Sequence, residues 1–370
     1  MFMRVLTIAA AIVFIFTFST ALAGAAGDRN AHASIERQVI HVRGAPFFPV
    51  MLIDQCTSGA VTHAQRLGIN TILNEHCGGI SPHRQLSMIQ SKSLAILPIE
   101  GRAIRGSGLL GWTFPDEPEN NGWTPARLRR AHAYARGSAD GLVSFMTTTG
   151  GFFHAPYRNP QIRKSTYGRF AHMADVAGFD LYPLGHCQSN LGAVYEAQRA
   201  FIRLAGKMPT FQWIETGPIK PTYCGGFKMT PGELEAEVWL AIVGGARGIG
   251  YFTHTWSPDH NAFDVSPTLQ RAMRRTSKLL DSVRQGLLGR TVLSGANSSS
   301  VKVVARIGSD RNFVFAVNTQ RAPINVQVHV PRLHGGSLQV VGENRSLNVN
   351  GARFTDNFQP LAVHVYAQRP

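Results

Sequence analysis

Residues 109–120 read LLGWTFPDEPEN, an apolar, strand-like run that ends in three carboxylates interleaved with two prolines. A buried strand stopping at such a knot is either an acidic turn or one edge of a site, and the neighbouring segments decide which. From Pro46 to about Tyr251 the chain carries similar short runs: FFPVMLI, INTIL, LAILPI, LVSFMTT, VAGFDLY, PTFQWIE and RGIGYFTH. All are continuously apolar rather than alternating, as strands covered on both faces are. Helix-compatible segments separate them. Thr124-Pro125 places a capping residue before proline at a first helical turn, and Thr230 with Glu233 spells a capping box. The LEAEVWLAIVGGA segment that follows reads as an amphipathic helix.

Eight strand–helix units over roughly 250 residues describe an α/β chain folded as a (β/α)8 TIM barrel. A doubly wound sheet would carry a glycine-rich phosphate loop after its first strand, whereas here the first run continues into DQCTSG. After about Leu288 the rhythm changes to short runs split by Gly, Asn, Asp and Pro, among them VKVVARI, NFVFAVN, INVQVHV and LAVHVYA. These read as a small C-terminal antiparallel β-sandwich. The division expected is a signal peptide over 1–26, the barrel over 38–288 and the sandwich over 289–370.

The leader reading rests on Arg4, the apolar run from Val5 to about Phe18 and the small residues STALAGAAG, with Ala21-Leu22-Ala23 as the cleavage motif. A retained membrane anchor is the alternative, but the run is short for a span and no later segment offers 18 uninterrupted apolar residues. The protein is therefore expected to be secreted, whether extracellular, periplasmic or cell-wall associated. Export lets Cys56, Cys77, Cys187 and Cys224 oxidise, and none forms a C-x-x-C pair. The formal charge of +15 admits an anionic polymer as partner. Its clusters, RLRR at 127–130 and RAMRR at 271–275, fall in helix-like segments where they read as solvated faces. Export argues against a nucleic-acid partner.

Acidic residues number only 22, yet Asp54, Glu75, Glu100, Glu117 and Glu215 fall at or just past the ends of barrel runs. In this fold the carboxyl ends of the strands form the reactive face. For Asp54 and Glu75, substrate binding and local backbone bonding are both open readings. Glu117 follows the fourth run and Glu215 ends the seventh, so the two can face each other across the mouth. Two carboxyl groups flanking a sugar can cleave a glycosidic bond, provided that the proton donor is kept protonated by burial or a neighbouring charge.

With FFPVMLID, GWTFPDEPE, GFDLYPLG, WIETG and GARGIGYFTHTW in place, the segment from about Pro46 to Trp256 resembles clan A of the glycoside hydrolases. The resemblance implies a retaining enzyme with Glu117 as acid/base and Glu215 as nucleophile, the carboxyls roughly 5–5.5 Å apart. It also places Tyr182 near the nucleophile, where a phenol can hydrogen-bond it, and makes Trp256 a platform at the sugar ring. Most of the clan carries Asn before the acid/base; Asp116 stands there and can accept, but not donate, a bond to the sugar. Asp116, His254 and Arg247 are further candidates for shaping the pocket. Within the barrel frame, the loops after the first and second strands are neighbours, as are those after the sixth and seventh. The bridges expected are Cys56–Cys77 and Cys187–Cys224. No H-E-x-x-H spacing appears, so neither a metal nor another cofactor is expected. The substrate implied is a poly- or oligosaccharide. The rivals are a non-catalytic carbohydrate-binding protein on the same fold and a metal-dependent amidase with His and Asp ligands on the rim.

Overall fold

The computed structural model describes residues 31–98, 104–138, 141–218, 223–253 and 265–369. The leader, Glu100, His254 and Trp256 lie outside the described residues. The chain opens with an antiparallel sheet of β1 (Ala33–Glu36), β2 (Val39–Val42) and β3 (Ala45–Phe47). The barrel follows as β4 (Val50–Ile53), β5 (Thr71–Leu73), β6 (Leu94–Pro98), β7 (Leu109–Thr113), β8 (Val143–Thr149), β9 (Val176–Asp180), β10 (Thr210–Glu215) and β11 (Gly248–Phe252). Its helices are α1 (Ser58–Arg66), α2 (Pro82–Ile89), α3 (Pro125–Ser138), α4 (Lys164–Ala171), α5 (Gly192–Ala205), α6 (Pro231–Gly244), α7 (Pro267–Ser282) and α8 (Arg284–Leu288).

All eight expected strands are present, each parallel to the next, and β11 closes on β4 through the Ile249–Val50 register. Alternate side chains fill the interior: Met51, Leu73, Ile96, Leu110, Phe145, Phe211 and Trp213 form one core cluster. Two glycines make that filling possible. A Cβ on Gly178 or Gly250 would lie 2.3 Å from the ring of Phe211 or Trp213 respectively. The first sheet, which sequence reading does not separate from the barrel, seals the bottom. Ala31 N–H donates to Leu109 O and Ala33 N–H to Gly141 O, at the amino ends of β7 and β8. Ala33 and Ile40 join the barrel interior from below, which leaves the opposite, carboxyl-end face for chemistry.

The C-terminal unit is a sandwich of a six-stranded sheet, in the order β12 (Arg290–Val292), β14 (Val301–Ile307), β15 (Asn312–Asn318), β20 (Val363–Gln368), β17 (Gly336–Val340), β18 (Arg345–Val349), and a three-stranded sheet of β13 (Gly295–Ala296), β16 (Ile324–His329) and β19 (Arg353–Phe358). Val314 and Ala316 face the second sheet, while Phe313, Phe315 and Val317 face the barrel helices. The strand is thus buried on both sides.

Helix α6 is the element pressed against that second face, and here the amphipathic reading is corrected. Thr230 and Glu233 form the expected capping box, with Pro231 in the first turn and Gly245 in the left-handed region at the C-cap. Yet every residue from Glu233 to Gly244 except Glu235 is buried. The helix lies between the barrel wall and the sandwich, so it needs no solvent face. Trp239 stacks on Phe315 with centroids 5.5 Å apart. Arg306 is buried and donates to Ile242 O and Leu287 O, neutralising the carboxyl ends of α6 and α8. The basic clusters of α3 and α7 do present solvated faces: Arg127, Arg129, Arg130, Arg271 and Arg275 are exposed.

Candidate active site

The knot at 115–119 is a strand-end turn in which the chain reverses on Glu117. That residue has φ 41°, a left-handed conformation that costs a non-glycine residue on the order of 1 kcal/mol. The turn is tied by Asn120 and Asn121 N–H donating to Glu117 O and by the Asn121 amide donating to Asp116 O. Asn120 Nδ2 also donates to Glu117 Oε2 at 3.2 Å. Asp54, after β4, has φ 48°. Strain of this kind at two strand ends on one rim marks residues held in place by their surroundings.

Asp54 is 2 % exposed. Its Oδ1 accepts Glu75 N–H at 2.6 Å and His76 N–H at 3.0 Å, and its Oδ2 meets His76 Nδ1 at 3.0 Å. Burial opposes ionisation of Asp54, but the His76 bond and the two amides outweigh it and lower its pKa. His76 is raised in return. Asp54 therefore organises the neighbouring loop. Glu75 accepts Thr113 Oγ1–H at 2.8 Å through Oε1, while its Oε2 is buried without a partner. Burial, then the charges of Asp116 and Asp54, push Glu75 well up.

Asp116 is raised to about 7 by burial and then by Glu117. Glu119 is also raised to about 7 by burial while accepting Thr149 N–H at 2.6 Å. Asp180, at the end of β9, is raised well above the carboxylate range by burial, then by Glu117, Asp116 and Glu119. The carboxyl ends of β4, β5, β7 and β9 thus hold one acidic cluster, more charge than the barrel can ionise together at neutral pH. Ligand atoms of Glu75, His76 and Asp116 lie within 4.8 Å of one another, which makes them the trio among the described residues able to hold a cation.

Glu215 ends β10 on the other side of Tyr182 and is 1 % exposed. Leu184 N–H donates to Oε1 and Gly185 N–H to Oε2, each at 2.7 Å. The carboxyl of Glu237 of α6 lies beside it, its two oxygens buried without a donor. Burial raises Glu215 to about 7 against the pull of these bonds. Tyr182 is 4 % exposed and stacks on Phe252 at 5.5 Å. Its phenol is raised by burial, then by Asp180, Asp116, Glu117 and Glu215 in that order. The structure brings Asp54, Glu75, Asp116, Glu117 and Tyr182 together. It turns Glu215 toward the segment after β9 and toward α6.

Arg247 does not shape this mouth. It precedes β11 at the opposite end of the barrel and donates to Leu287 O and Gly289 O, because a strand's first residue lies at the amino face. Sequence reading singles out neither Glu119 nor Glu237. Glu237 had one visible signal, a charge directly before the apolar run VWLAIV at 238–243.

Both expected bridges are present: Cys56–Cys77 joins the loops after β4 and β5, and Cys187–Cys224 joins those after β9 and β10. The second closes a loop of 37 residues next to the amides that hold Glu215. The Cys187→Ser/Cys224→Ser double variant is expected to lose about 2–4 kcal/mol of stability. Amide hydrogen exchange at Leu184 and Gly185 should quicken with it. Unchanged exchange there would mean that the carboxyl alone holds the segment.

Comparison with solved structures places the whole architecture. An α-amylase from Geobacillus thermoleovorans, complexed with acarbose, matches with a TM-score of 0.60 at 9% identity, over 87% of this chain and 98% of that one. A putative α-galactosidase from Bacteroides fragilis matches with a TM-score of 0.57 at 8% identity, over 93% and 91%. A GH30 endoxylanase from Clostridium papyrosolvens matches with a TM-score of 0.51 at 12% identity, over 93% and 99%. At such identities the likeness is one of fold. No protein-family model matches the sequence, and no curated protein does.

Proposed function

We propose that this chain is a secreted glycoside hydrolase that cleaves O-glycosidic bonds of a poly- or oligosaccharide with retention. Glu117 protonates the leaving oxygen as the bond to the anomeric carbon breaks. Glu215 attacks that carbon and forms a glycosyl ester. Glu117, now a carboxylate, takes a proton from water, which displaces Glu215 and restores both groups. The observation that carries this reading is the placement of Glu117, just after β7, and Glu215, at the end of β10, on the same carboxyl-end rim of one closed barrel.

Other features fit the same chemistry. Each oxygen of Glu215 accepts one amide, which leaves a lone pair for attack. Burial and mutual repulsion favour the protonated form of the acids beside Glu117, with Asp116 raised to about 7. The disulfides suit an oxidising compartment. Solved glycoside hydrolases share the fold, and the surplus of basic residues makes an anionic glycan a substrate to include.

The test is product release from a panel of neutral and anionic polysaccharides and aryl glycosides, run on wild type and Glu215→Gln together. Release by the wild type that collapses in the variant supports the reading and names the substrate class. Release that survives the variant removes Glu215 from the mechanism. Binding to a glycan with no release by either protein would favour the carbohydrate-binding alternative.

A further inference from the structure

Glu237 sits in the second turn of α6, 0 % exposed, on a helix whose neighbouring side chains are Val238, Trp239 and Leu240. Neither of its oxygens finds a donor among the groups that carry hydrogens at neutral pH. What it meets is the carboxyl of Glu215. Two carboxylates cannot hydrogen-bond one another, and burying both as anions would cost several kcal/mol. One proton between them removes the repulsion and supplies the missing donor. Its location follows from the surroundings. Glu215 has the N–H groups of Leu184 and Gly185 to stabilise its anion, whereas Glu237 has none. The other ionisable groups near the pair do not alter this. Glu233, on the same helix, is neutralised by Arg321 at 2.5 Å. Tyr157, from the segment after β8, is a phenol that both acids push to about 12 after burial has raised it.

We propose that Glu237 is a positioning residue for Glu215: as a neutral acid it donates the third hydrogen bond that holds Glu215 as an anion, aimed from the helix layer behind the barrel wall. The proposal deepens the glycosidase reading and rests on it for its kinetic consequence, but the pair itself can be tested without turnover.

The experiment compares wild type, Glu237→Gln and Glu237→Leu. First, unfolding free energy is measured against pH. A carboxyl kept protonated in the fold but ionised in the unfolded chain destabilises the fold progressively as pH rises above the ordinary value of 4.5. The unfolding constant of the wild type should rise against that of Glu237→Gln by up to about tenfold per pH unit above this point, the two converging in acid. Second, the acid limb of kcat/KM is followed on whichever glycan the wild type cleaves. Glu237→Leu, which donates nothing, should move that limb up by about one to two pH units. Glu237→Gln, whose amide still donates, should return it toward the wild-type position. Parallel stability curves for wild type and Glu237→Gln overturn the proposal, as does an acid limb unmoved in Glu237→Leu. A wild type that cleaves no glycan counts against the glycosidase reading alone, because the stability curves still decide whether Glu237 holds the proton.

Discussion

Glu117→Gln is expected to lower kcat/KM toward a glycoside with a poor leaving group by about 10²–10⁴-fold, the usual contribution of a positioned proton donor. Toward an aryl glycoside whose phenolate departs unaided, the first step should lose far less, and release of the glycosyl ester should then limit turnover. The reason lies in the turn after β7. Asn120 and Asn121 bind the Glu117 carbonyl, and Asn120 also donates to its carboxylate, so an isosteric amide can occupy the same position without carrying a proton to transfer. Equal losses on both classes of substrate would mean that Glu117 is holding the turn rather than giving up a proton. An unchanged rate on both would move the acid role to another member of the cluster, with Asp180 first in line.

The second large effect concerns stability. Trp239→Ala is expected to destabilise the protein by about 3–5 kcal/mol, as loss of a fully buried large aromatic does. Trp239 is 1 % exposed and lies in the core shared by helix α6, the barrel and the sandwich. Removing it leaves Phe315 without its stacking partner on the sandwich side and opens a cavity on the barrel side. Denaturant titration read by far-ultraviolet circular dichroism measures the loss. Trp239→Phe should keep much of the contact and cost distinctly less. A cost for Trp239→Ala below about 1 kcal/mol would show that the two units do not depend on this packing, since a well-packed site cannot collapse that cheaply.

The barrel was legible because its evidence is local. Each of the eight runs is long enough to span a strand, apolar on both faces and bounded by polar punctuation, and parallel strands covered by helices leave that pattern wherever they occur. The carboxylates after β4, β5, β7 and β10 were visible for the same reason, being polar residues where an apolar run stops. The bridge pairings followed once neighbouring loops were known. The β1–β3 sheet was missed because its strands are three or four residues long and only partly buried, too short to show a period. Helix α6 was misread because periodicity reports one covering surface, and this helix has two.

From its residues alone, this chain determines a closed eight-stranded barrel with scarce acids gathered at the carboxyl ends of its strands, followed by a β-sandwich. Tertiary structure alone decides the company each acid keeps. Asp54 is neutralised by His76 and turned to organising a loop, Asp116 and Asp180 crowd Glu117, and Glu215 is paired with Glu237 from behind the wall. The physical reason is range. Strand and helix patterns are set by neighbours a few residues apart, whereas a buried carboxyl's charge depends on burial and on groups 20 or more positions away, as with Glu215 and Glu237 (22 apart) or Glu215 and Leu184 (31 apart).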